Sequence, residues 1–461
     1  MLKPPLNIKV NKNPKCLVIG LDGVSQTLLK DYMGKGYLPN LKEILSRDYR
    51  LHQMDASIPD VSSTSWTSFM TGVNPGEHGI FGFMDLAPNS YKMFFPNSRD
   101  VKGPAVWDML GGTVNGRTST LYESYRDKLN KPLRSIVLNI PQTYPAMALN
   151  GILTAGFVCP DLKKGTYPDT AYNYLNSIGY LSDVDSSKAV NHRDAFFEEI
   201  FLALEKRAQA YEYFLKNESW DMFIGVITET DRLHHFFFDA AKDTMHPNHE
   251  VFISFYKAMD EIIGRLFNLF MEQTNGKGLF ITMSDHGFTE LRQEVYINSF
   301  LKDKGFLRIN NQKEYFEQVD SGTRAFAMEP ARIYINMEGK YPKGSVKQSE
   351  KEQMAKELKE VFESLVDSEG KSVIKAVYAN SELYKGPLSD KGPDLVCVAN
   401  DGYDLKSTFK KDGVFGKGVF RGMHTQYDAH CILPNDIEIK QRLHIEDMAG
   451  IILDYFVKSD R

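Results

Sequence analysis

Short apolar runs of strand length alternate along this chain with longer segments in which apolar residues recur at helical spacing. The strand-like runs are residues 16–21, 135–139, 222–227, 279–283, 332–336 and 394–398. The helix-like segments are residues 25–33, 39–46, 193–215, 250–270, 350–365 and 445–456. This alternation favours a mostly parallel sheet with helices on both faces. The pattern therefore predicts an α/β protein, a three-layer α/β/α sandwich.

Two stretches depart from the alternation and suggest how the domains are organised. Residues 85–190 are rich in Pro, Tyr, Asn and Gly, which predicts loop excursions over the edge of the sheet. Residues 291–390 carry helix and strand signals of their own, which predicts an inserted α+β subdomain or cap. We expect residues 12–290 and 391–461 to form the core domain.

Composition excludes several classes of protein. The 461 residues carry a net charge of −5, with 42% hydrophobic and 25% charged residues, so no nucleic-acid polymer is expected as a partner. The four cysteines have no CxxC spacing, and Cys16 and Cys397 lie in apolar runs, which predicts buried free thiols. Because the sequence has neither a signal-peptide pattern nor a long apolar run, we expect a cytoplasmic protein without a membrane span. The oligomeric state is not encoded in any pattern that we recognise.

Acidic and imidazole side chains follow three of the strand-like runs. Asp22 follows the first, Asp231 and His235 follow the run at 222–227, and Asp285 with His286 follows the run at 279–283. His424 lies far downstream, in what we expect to be a glycine-flanked loop. Polar groups just beyond the carboxyl ends of strands meet in one crevice of an α/β sheet. Three carboxylates and three imidazoles that converge there predict a metal centre.

Each of these residues also has a simpler interpretation when it is taken alone. Asp22 could cap the helix that starts near residue 25, and Asp285 could belong to an Asp-His-Gly turn. The four-residue spacing of Asp231 and His235 puts both on one face of a helix, but such a pair is a weak signal. We interpret the adjacent His234 as a supporting residue or a surface group, and a lone loop histidine such as His424 is usually only solvated.

A run of hydroxyl side chains supplies the candidate nucleophile. Residues 59–72 place Ser and Thr after a proline and before an apolar helical turn, as at the start of a helix. Backbone N–H groups and the helix dipole favour a phosphate there. A serine held by a divalent cation at this position would ionise and attack. The alternative is an ordinary Ser/Thr helix cap.

Together these stretches resemble the alkaline phosphatase superfamily, most closely its type I phosphodiesterase/nucleotide pyrophosphatase branch. The distinctive part is Thr71-Gly72-Val73-Asn74-Pro75-Gly76-Glu77-His78-Gly79-Ile80. The Asp-Gly, Asp-x-x-x-His, Asp-His-Gly and late His motifs follow in the family's order. The resemblance implies an alkaline phosphatase-like fold and cleavage of phosphodiester or phosphomonoester bonds through a covalent phosphoserine. It also implies two divalent metal ions, with zinc favoured and manganese accepted by the same ligands.

The resemblance also assigns roles to individual residues. Ser62 stands nine residues before Thr71 and matches the catalytic nucleophile. One metal would be held by the residues Asp22, Ser62, Asp285 and His286. The other would be held by the residues Asp231, His235 and His424. Ser65 and Thr64 would contact the substrate, which we expect to be a small phosphorylated molecule, and His78 would have a structural role.

The chain departs from the family pattern at one position. Nucleotide pyrophosphatases carry Asn three residues after the nucleophile, where this chain has Ser65, so nucleotide diesters are not implied as substrates. The residue that grips the phosphate has four candidates in the sequence, Arg99, Arg117, Arg324 and Arg421. The alternatives are a phosphomutase or phosphotransferase on the same fold, and a non-catalytic metal-binding relative. The short segment between Gly79 and Ser135 favours hydrolysis, because the phosphoglycerate mutases carry a large domain there.

Overall fold

The structure is a computed structural model that describes residues 14–129, 131–439 and 441–459. Residues 12 and 13, where the predicted core begins, lie outside this range, as do the first residues, in which we found no signal-peptide pattern. The described residues divide into two compact units. The first comprises the described residues up to Val73, Asn97–Phe288 and those from His424 onward; the second comprises Asn74–Pro96 and Thr289–Met423. The predicted insertion at 291–390 lies inside the second unit, and residues 391–423 also belong to that unit.

The elements are numbered in chain order. The strands are β1 (Cys16–Leu21), β2 (Tyr49–Asp55), β3 (Asp85–Leu86), β4 (Met93–Phe94), β5 (Ser135–Ile140), β6 (Gly151–Ala155), β7 (Thr166–Tyr167), β8 (Met222–Ile227), β9 (Leu279–Met283), β10 (Gly287–Glu290), β11 (Gln293–Tyr296), β12 (Ala325–Met328), β13 (Arg332–Ile335), β14 (Ile374–Ala379), β15 (Leu395–Ala399), β16 (Tyr403–Lys406), β17 (Phe415–Gly416), β18 (Gly422–Thr425), β19 (Ala429–Pro434) and β20 (Leu443–His444). The α-helices are α1 (Gln26–Gly34), α2 (Pro39–Ser46), α3 (Ser62–Thr71), α4 (Pro75–His78), α5 (Val106–Gly111), α6 (Thr120–Tyr125), α7 (Asp169–Ser177), α8 (Ser187–Asn191), α9 (Arg193–Asn217), α10 (Glu229–Phe237), α11 (His249–Thr274), α12 (Ile297–Asp303), α13 (Lys351–Glu363), α14 (Asn380–Leu383) and α15 (Asp447–Ser459).

The first unit is built on a nine-stranded sheet in the order β20-β2-β19-β9-β1-β8-β5-β6-β7. The pairs β1–β8, β1–β9, β5–β8 and β5–β6 are parallel, whereas β19 runs antiparallel to both β9 and β2. The strands predicted at 16–21, 222–227 and 279–283 are confirmed residue for residue. The predicted α/β class with a mostly parallel sheet is confirmed.

Helices press closely on both faces of this sheet at two glycines. Gly20 on β1 is paired with Val226 on β8, and Gly225 is one position earlier on β8. Because successive residues of a strand face opposite sides, Gly20 and Gly225 face opposite sides of the sheet. A Cβ atom on Gly20 would lie 2.5 Å from the ring of Trp66 on α3, and one on Gly225 would lie 2.6 Å from the ring of Tyr211 on α9. The two glycines therefore let α3 and α9 approach opposite faces of the sheet.

The second unit has its own core. A four-stranded antiparallel sheet in the order β12-β13-β15-β14 packs with α13, and a three-stranded sheet has the order β16-β11-β17. Its core includes Phe326, Ile333, Leu358 and Phe362, all of which are buried. In the segments that the structure describes, no helix of either unit combines the length and apolarity needed to cross a membrane.

A buried ion pair fixes the start of α10 in the first unit. Arg207 on α9 donates from Nε to both carboxylate oxygens of Glu229, at 2.7 and 2.8 Å. Its Nη1 donates to the hydroxyl of Tyr180 at 2.7 Å. Both charged side chains are about 1% exposed. A buried charge that loses its partner is strongly destabilising, so this pair anchors the segment between β8 and α10.

We expect Arg207→Met to lower the free energy of unfolding by about 3–5 kcal/mol, because the Glu229 carboxylate stays buried without its counter-charge. The matched control is Arg265→Met, which removes an arginine that pairs with Glu212 while half-exposed. That change should cost at most about 1 kcal/mol. Urea denaturation of the three proteins measures the difference. Equal losses in the two variants would contradict the anchoring role.

Candidate metal centre and nucleophile

The site lies where three neighbouring strands of the first unit end. β1 is flanked by β9 and β8, all three are parallel, and their carboxyl ends lie at the same edge of the sheet. Asp22 directly follows β1, Asp285 and His286 follow β9, and Asp231 lies on α10 after β8. The sheet topology therefore brings together residues that are up to 264 positions apart in the sequence.

The candidate nucleophile opens a helix. Ser62 is the first residue of α3, and the preceding cap residue, Val61, has no side chain that could bond the first-turn N–H groups. Ser62 Oγ lies 3.3 Å from Asp22 Oδ1 and 3.2 Å from His286 Nε2. One helical turn later, Trp66 Nε1 donates to Asp22 Oδ2 at 2.9 Å. The hydroxyl of Ser62 thus faces the strand ends, where the acidic residues lie.

The candidate ligand atoms form two overlapping groups. Those of Asp22, Asp285 and His286 lie within 4.8 Å of one another, and so do those of Asp231, His286 and His424. His235 Nε2 lies 3.1 Å from His424 Nε2 and 3.4 Å from Asp231 Oδ1. All seven residues predicted as metal ligands therefore converge in the first unit. His286 lies within reach of both groups.

Outer contacts orient two of the imidazoles. His286 Nδ1 lies 3.0 Å from the carbonyl oxygen of Gly287, and His424 Nδ1 lies 2.8 Å from that of Asp60. Because a carbonyl oxygen only accepts, each Nδ1 carries the proton and donates it. When each ring is neutral, its Nε2 atom has a lone pair that points into the site, the arrangement typical of metal-binding histidines.

Burial and neighbouring charges shift the pKa values of the side chains at this site. Burial, reinforced by the carboxylates of Asp285 and Asp231, raises the pKa of Asp22 well above its usual value. Burial raises the pKa of Asp285 to about 7 and lowers that of His286 to about 3. Burial opposes the charged form of His424, but the adjacent Asp231 carboxylate outweighs it and raises the pKa to about 9. Buried carboxylates that are crowded together in this way favour a bound metal ion.

One oxygen at the site bears directly on metal binding. Asp285 Oδ2 is buried and has no hydrogen-bond partner among the described residues, although His286 Nε2 is 3.3 Å away. Buried carboxylate oxygens are normally paired. Together with the inward Nε2 atoms, this oxygen gives a donor set of Asp and His residues that fits divalent cations.

The structure corrects several expectations about local structure. His424 lies in strand β18, so the prediction of a loop there is wrong. The helix α1 is capped by Ser25, whose side chain accepts from the N–H of Leu28, and not by Asp22. His234 is fully buried, which excludes the surface alternative. The prediction of a helical turn at Asp231 and His235 is confirmed by α10.

The substrate-contact candidates have different surroundings. Ser65 and Thr64 are both fully buried on α3, and neither hydroxyl has a hydrogen-bond partner among the described residues. Ser65 is three positions after Ser62 and shares its helix face, whereas Thr64 lies on a different face. Of the candidate arginines, Arg117 is bound to Asp108 at 2.8 Å. Arg324 and Arg421 belong to the second unit, and the structure gives no contact between the Arg99 side chain and the site.

Sequence reasoning did not single out four residues that contact the site. Trp66 binds Asp22, Thr230 donates to the Asp22 carbonyl at 2.6 Å, and Phe288 packs against the ring of His424 with centroids 5.0 Å apart. Arg232 Nη1 lies 3.2 Å from Asp231 Oδ2. The four-residue spacing from Ser62 to Trp66 was a usable signal, because it puts both side chains on one helix face. The roles of the others depend on tertiary contacts.

Solved structures share this fold over all or nearly all of their length. Phosphonoacetate hydrolase from Sinorhizobium meliloti 1021, in complex with phosphonoformate, aligns with a TM-score of 0.62 at 14% identity and covers 100% of both chains. An inactive variant of murine ectonucleotide pyrophosphatase/phosphodiesterase 5, in complex with AMP, gives 0.52 at 15% identity and covers 96% of this chain and 95% of its own. The alkaline phosphatase PafA gives 0.54 at 13% identity and covers 97% and 96%. At these identities the likeness shows the fold.

The fold is alkaline phosphatase-like, and a family model shows that the chain is a member of that superfamily. The family model for type I phosphodiesterase/nucleotide pyrophosphatase matches residues 16–428. The chain belongs to this family, whose members are hydrolases of phosphoric esters. No match was found among curated proteins.

We expect the affinity of the metal-free protein for Mn²⁺ to rise with pH between 6 and 9. The raised pKa values, about 7 for Asp285 and about 9 for His424, mean that each group holds a proton at lower pH. A metal ion must displace these protons, so affinity grows about tenfold per pH unit for each proton displaced and levels off above pH 9. Isothermal titration calorimetry in buffers of different ionisation enthalpy measures both affinity and proton release.

The control for this titration is His444→Asn, which removes a half-exposed histidine outside the site. The number of protons released should be unchanged in that variant. An affinity that is independent of pH from 6 to 9 would contradict the assignment of Asp285 and His424 as ligands.

Proposed function

We propose that this protein is a metal-dependent phosphohydrolase that cleaves phosphodiester or phosphomonoester bonds through a covalent phosphoserine at Ser62. The observation that carries the proposal is the position of Ser62. Its hydroxyl stands at the N-terminus of α3, 3.3 Å from Asp22 Oδ1 and 3.2 Å from His286 Nε2. A nucleophile, its activating groups and a phosphate-binding helix end are then in one place.

Two divalent cations would be held by the converging carboxylates and imidazoles. One would take Asp22, Ser62, Asp285 and His286. The other would take Asp231, His235 and His424. When bound, such cations favour ionisation of the nucleophile and stabilise charge on the leaving oxygen. Zn²⁺ suits this mixture of Asp and His ligands, and Mn²⁺ accepts the same set.

The chain's own residues account for the remaining steps. Ser62 Oγ bonds to phosphorus while the bond from phosphorus to the leaving oxygen breaks, and the proton that Ser62 gives up ends on the departing oxygen. Water then attacks the phosphoserine, releasing the phosphoryl product and restoring the hydroxyl. The N–H groups of Ser62 and Ser63 would bind the phosphoryl oxygens, because Val61 has no side chain that could cap them, whereas the N–H of Thr64 already donates to the Val61 carbonyl. We propose a small phosphorylated molecule as the substrate.

Ser65 is proposed to donate a hydrogen bond to a phosphoryl oxygen. It lies on the Ser62 face of α3, and its buried hydroxyl has no partner among the described residues. A buried hydroxyl without a partner is costly unless a ligand satisfies it. The proposed role of Thr64 in substrate binding has weaker support, because its face of the helix differs.

We expect Ser62→Ala to reduce phosphoester cleavage by on the order of a thousandfold or more, because the covalent intermediate cannot form. Metal content should stay near that of the wild type. The measurement is release of product from a panel of mono- and diesters, with elemental analysis of the same samples. Ser63→Ala is the matched control and should keep most of the activity, since Ser63 is also buried on α3 but points about 100° away from Ser62.

Full activity in Ser62→Ala would overturn the covalent mechanism. Transfer of the phosphoryl group to an acceptor, without release of inorganic phosphate or a free monoester, would instead favour the phosphotransferase alternative. A metal-replete protein that cleaves none of the panel would favour the non-catalytic alternative.

We expect Ser65→Ala to lower kcat/KM by about 10- to 100-fold, because one hydrogen bond to a charged group contributes about 1.5–3 kcal/mol. Thr64→Val keeps the shape of its side chain and should change kcat/KM by less than about threefold. Steady-state kinetics on the best substrate of the panel distinguishes the two. Similar losses in both variants would show that the helix, and not the Ser65 hydroxyl, is affected.

A further inference from the structure

The residue between the two ligands on α10, His234, is buried in contacts that lead to the rest of the site. Its Nδ1 atom lies 3.1 Å from the carbonyl oxygen of Gly23, and its Nε2 atom lies 2.6 Å from the hydroxyl of Tyr256. The side chain is fully buried. Successive residues on a helix point about 100° apart, so His234 faces away from the direction of its neighbour His235.

These two partners determine the tautomer of the His234 ring. A carbonyl oxygen can only accept, so Nδ1 must carry a hydrogen and donate it to Gly23. A buried ring whose hydrogen-bond partners are uncharged is neutral, so Nε2 has a lone pair and accepts from the Tyr256 hydroxyl. Both ring nitrogens are therefore satisfied in one orientation and in no other.

Aromatic side chains hold the ring in that orientation. The rings of Phe252 and Tyr256 lie nearly parallel to it, tilted by 16° and 14°, with centroids 5.8 Å away in each case. Phe238 and Phe288 meet it edge-on at 5.3 and 4.9 Å. Rotation of the ring would break these contacts together with both hydrogen bonds.

Gly23 connects His234 to the candidate ligand Asp285. Its N–H donates to Asp285 Oδ1 at 3.1 Å, while its carbonyl accepts from His234. It directly follows Asp22, whose carbonyl accepts from Thr230 on α10 at 2.6 Å. Two side chains of α10 thus bind two consecutive carbonyls at the end of β1. The first carbonyl belongs to Asp22, which is a candidate ligand. The second belongs to Gly23, whose N–H donates to another candidate ligand, Asp285.

We propose that His234 is a positioning residue that sets the ligands Asp22 and Asp285 against the ligands Asp231 and His235. The proposal rests on the proposed metal-dependent function. Without the Nδ1–H donor, the Gly23 carbonyl is left unpaired, and Thr230 alone of these two α10 side chains still holds the segment that carries Asp22 and supports Asp285. Outer contacts of this kind typically change metal affinity by 10- to 100-fold.

Three substitutions at His234 separate the hydrogen bond from packing. In His234→Asn the amide nitrogen takes the place of Nδ1 and keeps the donor to Gly23, although the aromatic ring is lost. In His234→Gln the amide group reaches only the place of Nε2. In His234→Phe the ring is kept and both polar atoms are lost. Packing alone ranks the variants Phe, Gln, Asn in stability, since Asn leaves the largest cavity.

The experiment is titration of metal-free protein with Zn²⁺ against a chromophoric chelator, with thermal unfolding of the same samples. We expect His234→Phe and His234→Gln to lose tenfold or more in Zn²⁺ affinity, while His234→Asn stays within about threefold of wild type despite the lowest unfolding temperature. The control is His249→Phe, because His249 is also buried and its Nδ1 lies 2.7 Å from the Ala240 carbonyl. That variant should lose stability and keep its affinity.

Wild-type affinity in His234→Phe, or affinities that follow the order of stability, would overturn the positioning role. These results are distinct from failure of the proposed function. A wild-type protein that binds Zn²⁺ and cleaves no phosphoester would refute the hydrolase and leave the affinity pattern at His234 as a valid test. A wild-type protein that binds neither Zn²⁺ nor Mn²⁺ would overturn both proposals.

Discussion

The burial of several carboxylates at the ends of adjacent parallel strands is the constraint on which the rest of the site depends. Asp22, Asp231 and Asp285 are nearly or fully buried, and this burial, reinforced by repulsion from neighbouring carboxylates, disfavours charge on Asp22 and Asp285. Asp231 keeps its charge because His235 and His424 offset the cost of burying it. Surrounding groups can reduce this repulsion only in part, since the imidazole of His286 is itself held neutral by burial. The divalent cations that we propose for this site would resolve the conflict by supplying positive charge between the crowded carboxylates.

Apolar runs predicted the central strands of the sheet. These strands are buried on both faces, so their sequences are largely apolar and do not alternate between apolar and polar residues. The runs at β1, β8 and β9 consist of buried residues throughout, so composition alone identified them. Strand β2 was missed because Tyr49–Asp55 mixes apolar and charged residues, and its burial is incomplete. Its pairing with β19 comes from nearly 400 residues downstream, and no local pattern encodes such a contact.

The candidate site could likewise be predicted only in part. Asp22 and Asp285 could be identified from the sequence, because each is an acidic residue that follows an apolar, strand-like run and precedes a glycine within two positions. His234 was named as a supporting residue, but its partner Gly23 could not be named, since the contact joins positions 211 apart. The same holds for Trp66 and Thr230, whose partners at the end of β1 are defined only by the folded sheet. The residue types that can bind a metal or attack a phosphate are visible in the local sequence. The residues that support them from other elements are not.

The guanidinium of Arg232, which contacts the candidate ligand Asp231, is already neutralised by a second carboxylate. Arg232 reaches Asp231 but also binds both oxygens of Asp183, at 3.1 and 2.9 Å, and stacks on Phe157 with 4.0 Å between the guanidinium carbon and the ring centre. Its remaining role is to hold α10 in place more than to attract an anion. Positive potential for a phosphoryl group must then come from bound cations and from the N-terminus of α3. Cations at this site would therefore serve twice, because the carboxylates that bind them would otherwise repel the substrate.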